Sequence, residues 1–334
     1  MVAPTSDRRH NMYEVVGIDM PCMDLNVNLS KFPTPDFGEN INQVNWQGGG
    51  KVASGMVACA RLGAKCAMMG SVGDDIFGKF IVHDFKLHGI DTSALKIQQD
   101  DTSSLSVVLS EAAAGSRTIL HKLGSTPRYS KEDMNEKMLR SAKYLFICQA
   151  DPVINHAVNI AREAETKIFI DADGYSEDIM NMLPKIDIFV GSNYFYNTLF
   201  SNDQYEENCR SIMAIGPQIA IFTLGDKGCV GVSEQGFFQL PAFKVNVVDT
   251  VGAGDVFHGA FLAGLLKEYT VKDAARFACA VSAIKCTRIG GRAGIPDLAT
   301  VTRFLQDGFI DYTDIDARVK YYERGLEHAF NKNT

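Results

Sequence analysis

Short apolar runs alternate with longer segments of helical periodicity through the second half of the chain, and this alternation narrows the fold more than any other feature. The runs are Tyr144 to Ile147, Lys167 to Ile170, Ile186 to Val190 and Ile219 to Leu224. Helical spacing covers Ile154 to Ala164, Glu206 to Ile215, Asp255 to Leu266 and Val271 to Arg288. Apolar strands alternating with helices predict a parallel sheet buried on both faces. The first third adds strands at Glu14 to Ile18 and Ala67 to Val72. It also adds a helical pattern opened by Gly48 to Gly50, running through Leu62 and closed by Gly63, and another helix at Ile76 to Leu87 closed by Gly89.

Two stretches break this rhythm. Leu105, Val107 and Leu109 alternate with Ser106, Val108 and Ser110, and Gly115 interrupts the chain before Thr118 to Leu120. A second stretch, from Asn26 to Trp46, is rich in Asn and Pro and reads as extended. Together they predict a small β-sheet lid, from about 26–47 and 100–123, inserted in a single α/β domain over 1–334. The central sheet is expected to be mostly parallel, with helices on both faces. Ile315, Val319, Tyr322, Leu326 and Phe330 recur at helical spacing, so 311–334 reads as a C-terminal helical tail.

Composition excludes some classes. Charged residues make up 22% and hydrophobic residues 46% of the 334, with a net charge of -7, so neither a basic stripe nor a nucleic-acid partner is expected. No apolar stretch approaches the length of a membrane span, and residues 1–11 lack the apolar segment of a signal peptide. The eight cysteines include no C-x-x-C pair and read as small buried hydrophobes in a reducing, cytoplasmic setting.

The segment Asp249-Thr250-Val251-Gly252-Ala253-Gly254-Asp255 carries the most chemistry. An extended run, Val245 to Val248, is expected to lead into it, and a helix to follow. Free amides at a helix N-terminus suit an anion, and glycines let the backbone come close to a phosphate. A carboxylate beside such a cradle makes sense if it faces a hydroxyl while the amides face a phosphoryl group. The residues alone leave a second reading open, in which Asp255 only caps the helix.

Asp249 to Asp255, with Phe257-His258-Gly259-Ala260-Phe261 after it, resembles the C-terminal signature of the ribokinase (PfkB) family of carbohydrate kinases. Gly49-Gly50-Lys51-Val52-Ala53-Ser54, with Ala60-Arg61-Leu62-Gly63-Ala64, is similar to that family's first signature. Gly70 to Gly78 also resembles a family segment. The resemblance spans roughly Glu14 to Asp297 and implies a ribokinase-like fold and phosphoryl transfer from ATP, with Mg²⁺, to a hydroxyl of a small carbohydrate. It implies Asp255 as base and the Gly252, Ala253 and Gly254 amides as anion hole. It places Asp24, Gly49, Gly50, Lys51 and Ser54 at the sugar, Ser54 where relatives often carry Asn, with Asp19 as a competitor of Asp24. Arg117 is a candidate to reach over the sugar or its phosphate. Nucleotide contacts are implied at Asn193, Thr223, Leu224, Gly225, Asp226, Gly228, Gly254 and Cys279. The family's Asn-x-x-Glu segment departs here, with Tyr196 at the acidic position and Asp171 and Asp173 as possible stand-ins. Relatives that use K⁺ imply a site from the Asp249 carboxylate and main-chain carbonyls at Val251, Lys285, Arg288, Gly290 and Gly294. Against this stands the plainer reading that Asp249 caps the turn. Lid sheets in the family often pair between subunits, which implies a homodimer.

Gly73 to Lys79 fits the start of a P-loop, but Phe80 replaces the hydroxyl residue and Asp74 and Asp75 fall inside the supposed cradle. The glycines at 48–50 lack dinucleotide-binding spacing, which argues against an NAD-dependent oxidoreductase. A nucleoside kinase of the same superfamily and a non-catalytic sugar sensor remain as alternatives; retention of Asp255 speaks against the second.

Overall fold

The computed structural model describes residues 12–111 and 116–327. Its first layer is a nine-stranded sheet. In chain order the strands of the molecule are β1 Tyr13–Ile18, β2 Cys22–Leu29, β3 Ile41–Gly49, β4 Cys66–Gly73, β5 Asp91–Gln98, β6 Leu105–Glu111, β7 Ser116–Lys122, β8 Ala142–Ile147, β9 Lys167–Ala172, β10 Ile188–Gly191, β11 Ile219–Thr223, β12 Cys229–Ser233 and β13 Gly236–Leu240. The large sheet runs β13-β12-β11-β10-β9-β8-β1-β4-β5 and is parallel from β5 to β11. The hairpin β12–β13 closes one edge antiparallel.

Helices cover both faces, as near-continuous apolar strands require. On one side lie α1 Lys51–Arg61 and α2 Ile76–Leu87. The other side carries α3 Glu136–Arg140, α4 Pro152–Glu163, α5 Glu177–Met182, α6 Asn193–Leu199 and α7 Tyr205–Met213. The first side is completed by α8 Ala253–Leu266, α9 Val271–Lys285, α10 Leu298–Asp307 and α11 Thr313–Glu323. Ile315, Val319 and Tyr322 of α11 are buried, and Phe330 lies outside the described residues.

The second layer is the four-stranded sheet β3-β2-β6-β7, in which β2 runs parallel to β6 and the other pairs are antiparallel. Its strands extend past the expected 26–47, from Cys22 to Gly49, so Gly49 ends a lid strand and Gly50 is the N-cap of α1. The expected break at Gly115 lies outside the described residues. Two expectations change. Residues 241–252 form no strand; backbone amides of Val248 and Asp249 instead bond to the carbonyl of Cys286. The helix expected to reach Arg288 ends at Lys285, where the Arg288 amide turns back onto the Lys285 carbonyl. The strand β5, the hairpin β12–β13 and the short helices α3, α5, α6 and α10 were not legible from apolar spacing.

Candidate active site

Two helix N-termini converge because two glycines face each other. A Cβ at Gly259 of α8 would stand 1.8 Å from the Gly55 carbonyl of α1, and one at Gly55 would stand 3.0 Å from the Asp255 carbonyl. Only a pair without side chains allows this crossing, and it sets the start of α1, with Gly49 and Gly50, beside the start of α8, with Gly252 to Asp255.

At α8, Gly252 is the N-cap in a left-handed conformation (φ 71°), and among the described residues no side chain caps the first-turn amides of the helix. Gly252 also packs against Gly291, where a Cβ would come within 2.9 Å of the Gly291 Cα. Ser282 Oγ donates to the Ala253 carbonyl at 2.7 Å and fixes the turn from behind. Asp255 sits in this first turn, partly exposed to the cleft. Burial pushes its carboxyl well above the usual carboxylate range, and Asp171, Asp173 and Asp19 push the same way while Lys51 opposes them. Asp171, at the end of β9, is fully buried; His258 Nδ1 lies 2.9 Å from its Oδ2 without the alignment of a hydrogen bond. Asp173 is held instead by Lys51 Nζ at 2.6 Å, and that carboxylate partner holds the Lys51 ammonium above its ordinary range despite burial.

Across the cleft, the two candidate aspartates separate. Asp19 accepts backbone amides on both oxygens, from Met20 at 2.8 Å and Ala53 at 3.0 Å, so it braces the start of α1. Asp24, on β2, packs its carboxylate directly against Gly49, where a Cβ would stand 2.2 Å from Oδ1. Its described hydrogen bond is from the Cys22 thiol, at 3.4 Å, so it retains acceptor capacity for hydroxyls. Burial raises its carboxyl above the ordinary value, although Cys22, Arg292 and Ser106 offset part of this. Asn26 and Asn45 face each other on the same lid surface, and the Asn26 amide is buried with no hydrogen-bond partner among the described residues.

Ser54 does not open onto the cleft. It is buried, with Oγ 3.5 Å from Arg292 Nε. Arg292, which spacing alone did not single out, organises the whole glycine loop. Its guanidinium is fully buried and reaches Asp84 Oδ2 at 2.5 Å and the Gly49 carbonyl at 3.0 Å. Gln47 Oε1 accepts the amides of Arg292 and Ala293, which ties the lid to the same loop. Arg117 stands exposed on β7, with Nη1 3.5 Å from Thr250 Oγ1.

The glycine turn after β11 is a short 3₁₀ segment, Gly225–Lys227, closed by Leu224 N to the Gly228 carbonyl at 2.7 Å. Gly225 and Asp226 are exposed, and Thr223 is half-buried. Leu224 and Cys279 are buried beneath, the latter 3.7 Å from Cys229 Sγ. Asn193 is exposed at the start of α6. Tyr196, at the family's acidic position, points inward; its hydroxyl donates to the Asn202 carbonyl and its ring packs on Phe200, Tyr205 and Phe222. The segment Gly73 to Lys79 is no phosphate cradle, because Asp75 accepts the Gly78 amide at 2.8 Å and the Ser103 amide at 3.1 Å.

The profile described as pfkB family carbohydrate kinase matches residues 11–298, most of the chain. The chain belongs to the PfkB family of carbohydrate kinases. A PfkB relative named ribokinase, from Lactococcus lactis, is 29% identical over 89% of this chain and 98% of its own length. Fructokinase-2 of Solanum lycopersicum is 25% identical over 78% of this chain and 87% of its own. An E. coli structure described as a ribokinase II in complex with ATP and Mg²⁺ has the same fold, with a TM-score of 0.78, 22% identity, and coverage of 88% of this chain and 99% of that one.

Within the PfkB frame, the Asp249 turn is tied to the end of α9 and the loop after it. Of the groups expected to hold a cation, the Asp249 carboxylate accepts the Val251 amide at 2.9 Å and the Gly290 amide at 2.8 Å, and the Val251 carbonyl accepts from Lys285 Nζ. The Lys285 carbonyl accepts the Arg288 amide and lies over the Gly294 Cα. The Arg288 side chain turns away to Asp316 and the Tyr312 ring.

Proposed function

We propose that this kinase transfers the γ-phosphoryl group of ATP to a hydroxyl of a small sugar. The observation that carries this reading is the Gly55–Gly259 crossing, which sets the Gly49–Gly50 loop beside Asp255 and the uncapped amides of α8. Asp24, Gly49, Gly50 and the Asn26 amide would hold the acceptor's hydroxyls, and Lys51 would hold Asp173 away from the reacting carboxylate. Asp255 takes the proton of the attacking hydroxyl. The amides of Gly252, Ala253 and Gly254 face the charge that grows on the phosphoryl oxygens. Arg117, whose Nη1 meets Thr250 Oγ1 at 3.5 Å, would add a positive charge to this turn from the lid. Ser54 acts from below, through Arg292.

ATP would lie across Thr223 to Gly228 and Asn193, with Leu224 and Cys279 packing beneath the turn. Mg²⁺ bound with it would neutralise the β- and γ-phosphates. No cluster of three or more acidic, His or Cys ligands exists among the described residues, and Tyr196 supplies none, so such an ion would be held chiefly by phosphates and water. The lid exposes Val44, Ile119 and Leu120, an apolar surface that fits the pairing of two lids in a homodimer.

An ADP-release screen with ATP and Mg²⁺, over ribose, fructose, deoxyribose, keto-deoxy acids and adenosine, tests the reading. A sugar is expected to turn over at least tenfold faster than any nucleoside; preference for adenosine would move the chain to nucleoside kinases, and ATP turnover with no acceptor would remove the assignment. With the best sugar, Asp24→Ala should raise KM at least tenfold, since each charge-assisted hydrogen bond is worth roughly 1.5–3 kcal/mol.

The pH profile probes the carboxylate cluster. Because the Asp255 carboxyl is raised, the acidic limb of kcat/KM should lie well above the ordinary carboxylate range. Asp171→Asn removes the foremost neighbouring charge that raises it and should move the limb to lower pH. An unmoved limb would show that the Asp171 charge does not reach the base.

A further inference from the structure

The turn that carries the anion hole contains a buried cation of its own. Lys285, the last residue of α9, is fully buried (0% exposed), and its Nζ donates to the main-chain carbonyl of Asp249 at 3.1 Å and to that of Val251. These two carbonyls bracket Thr250 and point back into the protein, the side away from the cleft. The Asp249 carboxylate supplies the balancing charge on the same segment. It too is buried, and its oxygens accept the Val251 amide at 2.9 Å and the Gly290 amide at 2.8 Å.

We propose that the Lys285 ammonium is the structural cation of this turn, a covalently tethered counterpart of a monovalent metal ion, and that the site is organised without K⁺. A monovalent ion at this place would need the Val251 carbonyl, which already accepts from the ammonium, and the Asp249 carboxylate, whose oxygens already accept the Val251 and Gly290 amides. It would also have to enter beside a buried positive charge of equal size, which the low local dielectric forbids. The lysine is better placed than a dissolved ion in one respect. Its stem is packed in the end of α9, so the ordering entropy is paid on folding and not at each binding event. With the 249 and 251 carbonyls drawn inward, the peptide planes that follow present the Gly252 to Gly254 amides outward. Lys285 is therefore a positioning residue that acts through the turn, and it touches neither substrate. Its kinetic consequence rests on the phosphoryl-transfer reading above; its structural consequence does not.

The test uses the full chain at fixed ionic strength, in KCl and in tetramethylammonium chloride. Wild type is expected to show the same kcat and the same thermal midpoint in both salts. Lys285→Ala removes the charge and opens space, so its kcat in tetramethylammonium should fall at least tenfold. K⁺ or NH₄⁺ should then recover a saturable part of the loss and raise the thermal midpoint of the variant, with no effect on wild type. A twofold or larger K⁺ activation of wild type, or a K⁺-specific rise in its midpoint, overturns the proposal. So does a variant with full activity in tetramethylammonium, or a loss that neither ion reverses. If Lys285→Ala does not fold, the two-salt comparison of wild type still decides. The midpoint measurement remains decisive if no acceptor is phosphorylated at all, which separates failure of this inference from failure of the assigned reaction.

Discussion

Asp255→Asn should lower kcat by about 10²–10⁴, the usual worth of a positioned general base, with the sugar KM changed much less. The amide keeps the shape of the side chain but cannot accept the proton of the attacking hydroxyl. Stability should move the other way. Burial and the carboxylates of Asp171, Asp173 and Asp19 raise the folded-state pKa of Asp255 above its unfolded value. Such a group stabilises fully below the unfolded pKa and loses that contribution as pH rises through the folded one, so the carboxyl supports the fold less at neutral pH than in acid, a pH-dependent loss. The Asn variant escapes it and should unfold at the same or higher denaturant concentration than wild type at pH 7, while its activity collapses. The competing reading, in which Asp255 only serves the helix dipole, expects the reverse pattern: near-normal kcat and a loss of roughly 0.3–1 kcal/mol in stability. Single-turnover rates and urea midpoints on the two proteins separate these outcomes.

The fold was legible where the physics is local. The helix Ile76–Leu87 ends where its apolar spacing and Gly89 say it should, and the parallel strands follow from unbroken apolar runs. Strand β5 was missed because Asp91–Gln98 is an edge strand with one half-exposed face, so its sequence lacks the continuous apolar run of a central strand. The loop before α8 was over-read as a strand because Val245 to Val248 has strand composition, yet its end meets a single loop carbonyl, that of Cys286, and no strand among the described residues. In the site, residues that act through the backbone were visible as motifs, since glycine spacing records where a chain must pass close to something. Side chains that act from a distance were not. Nothing in the order Ile284-Lys285-Cys286 reveals that the lysine turns inward, and Arg292 meets Asp84 across more than two hundred residues. The signal that could have found them is the burial of a lone charge in an apolar helix face, which needs the packing partner to be known first.

Arg292→Met is expected to cost about 3–5 kcal/mol of stability, the toll of leaving one member of a buried ion pair without its partner. Both groups are fully shielded, and Asp84 is held below its ordinary range although burial alone would raise it, because Arg292, His88 and Tyr322 outweigh that penalty. The methionine stem keeps the packing on Phe85 that the guanidinium now provides. Adding Asp84→Leu should restore part of the loss, since no unpaired carboxylate then remains. Recovery should be incomplete, because the Tyr322 hydroxyl loses the carboxylate it now meets at 2.7 Å and is left with His88 Nε2 at 3.1 Å. Function should not follow stability. In both variants the Gly49 carbonyl loses the donor that holds the glycine loop against Asp24. The sugar KM should therefore stay raised several-fold in the double variant even where its urea midpoint approaches that of wild type, while the KM for ATP is unchanged. A double variant with restored stability and normal sugar KM would show that Arg292 serves the core alone, and that Gln47, through the Arg292 and Ala293 amides, suffices to place the loop.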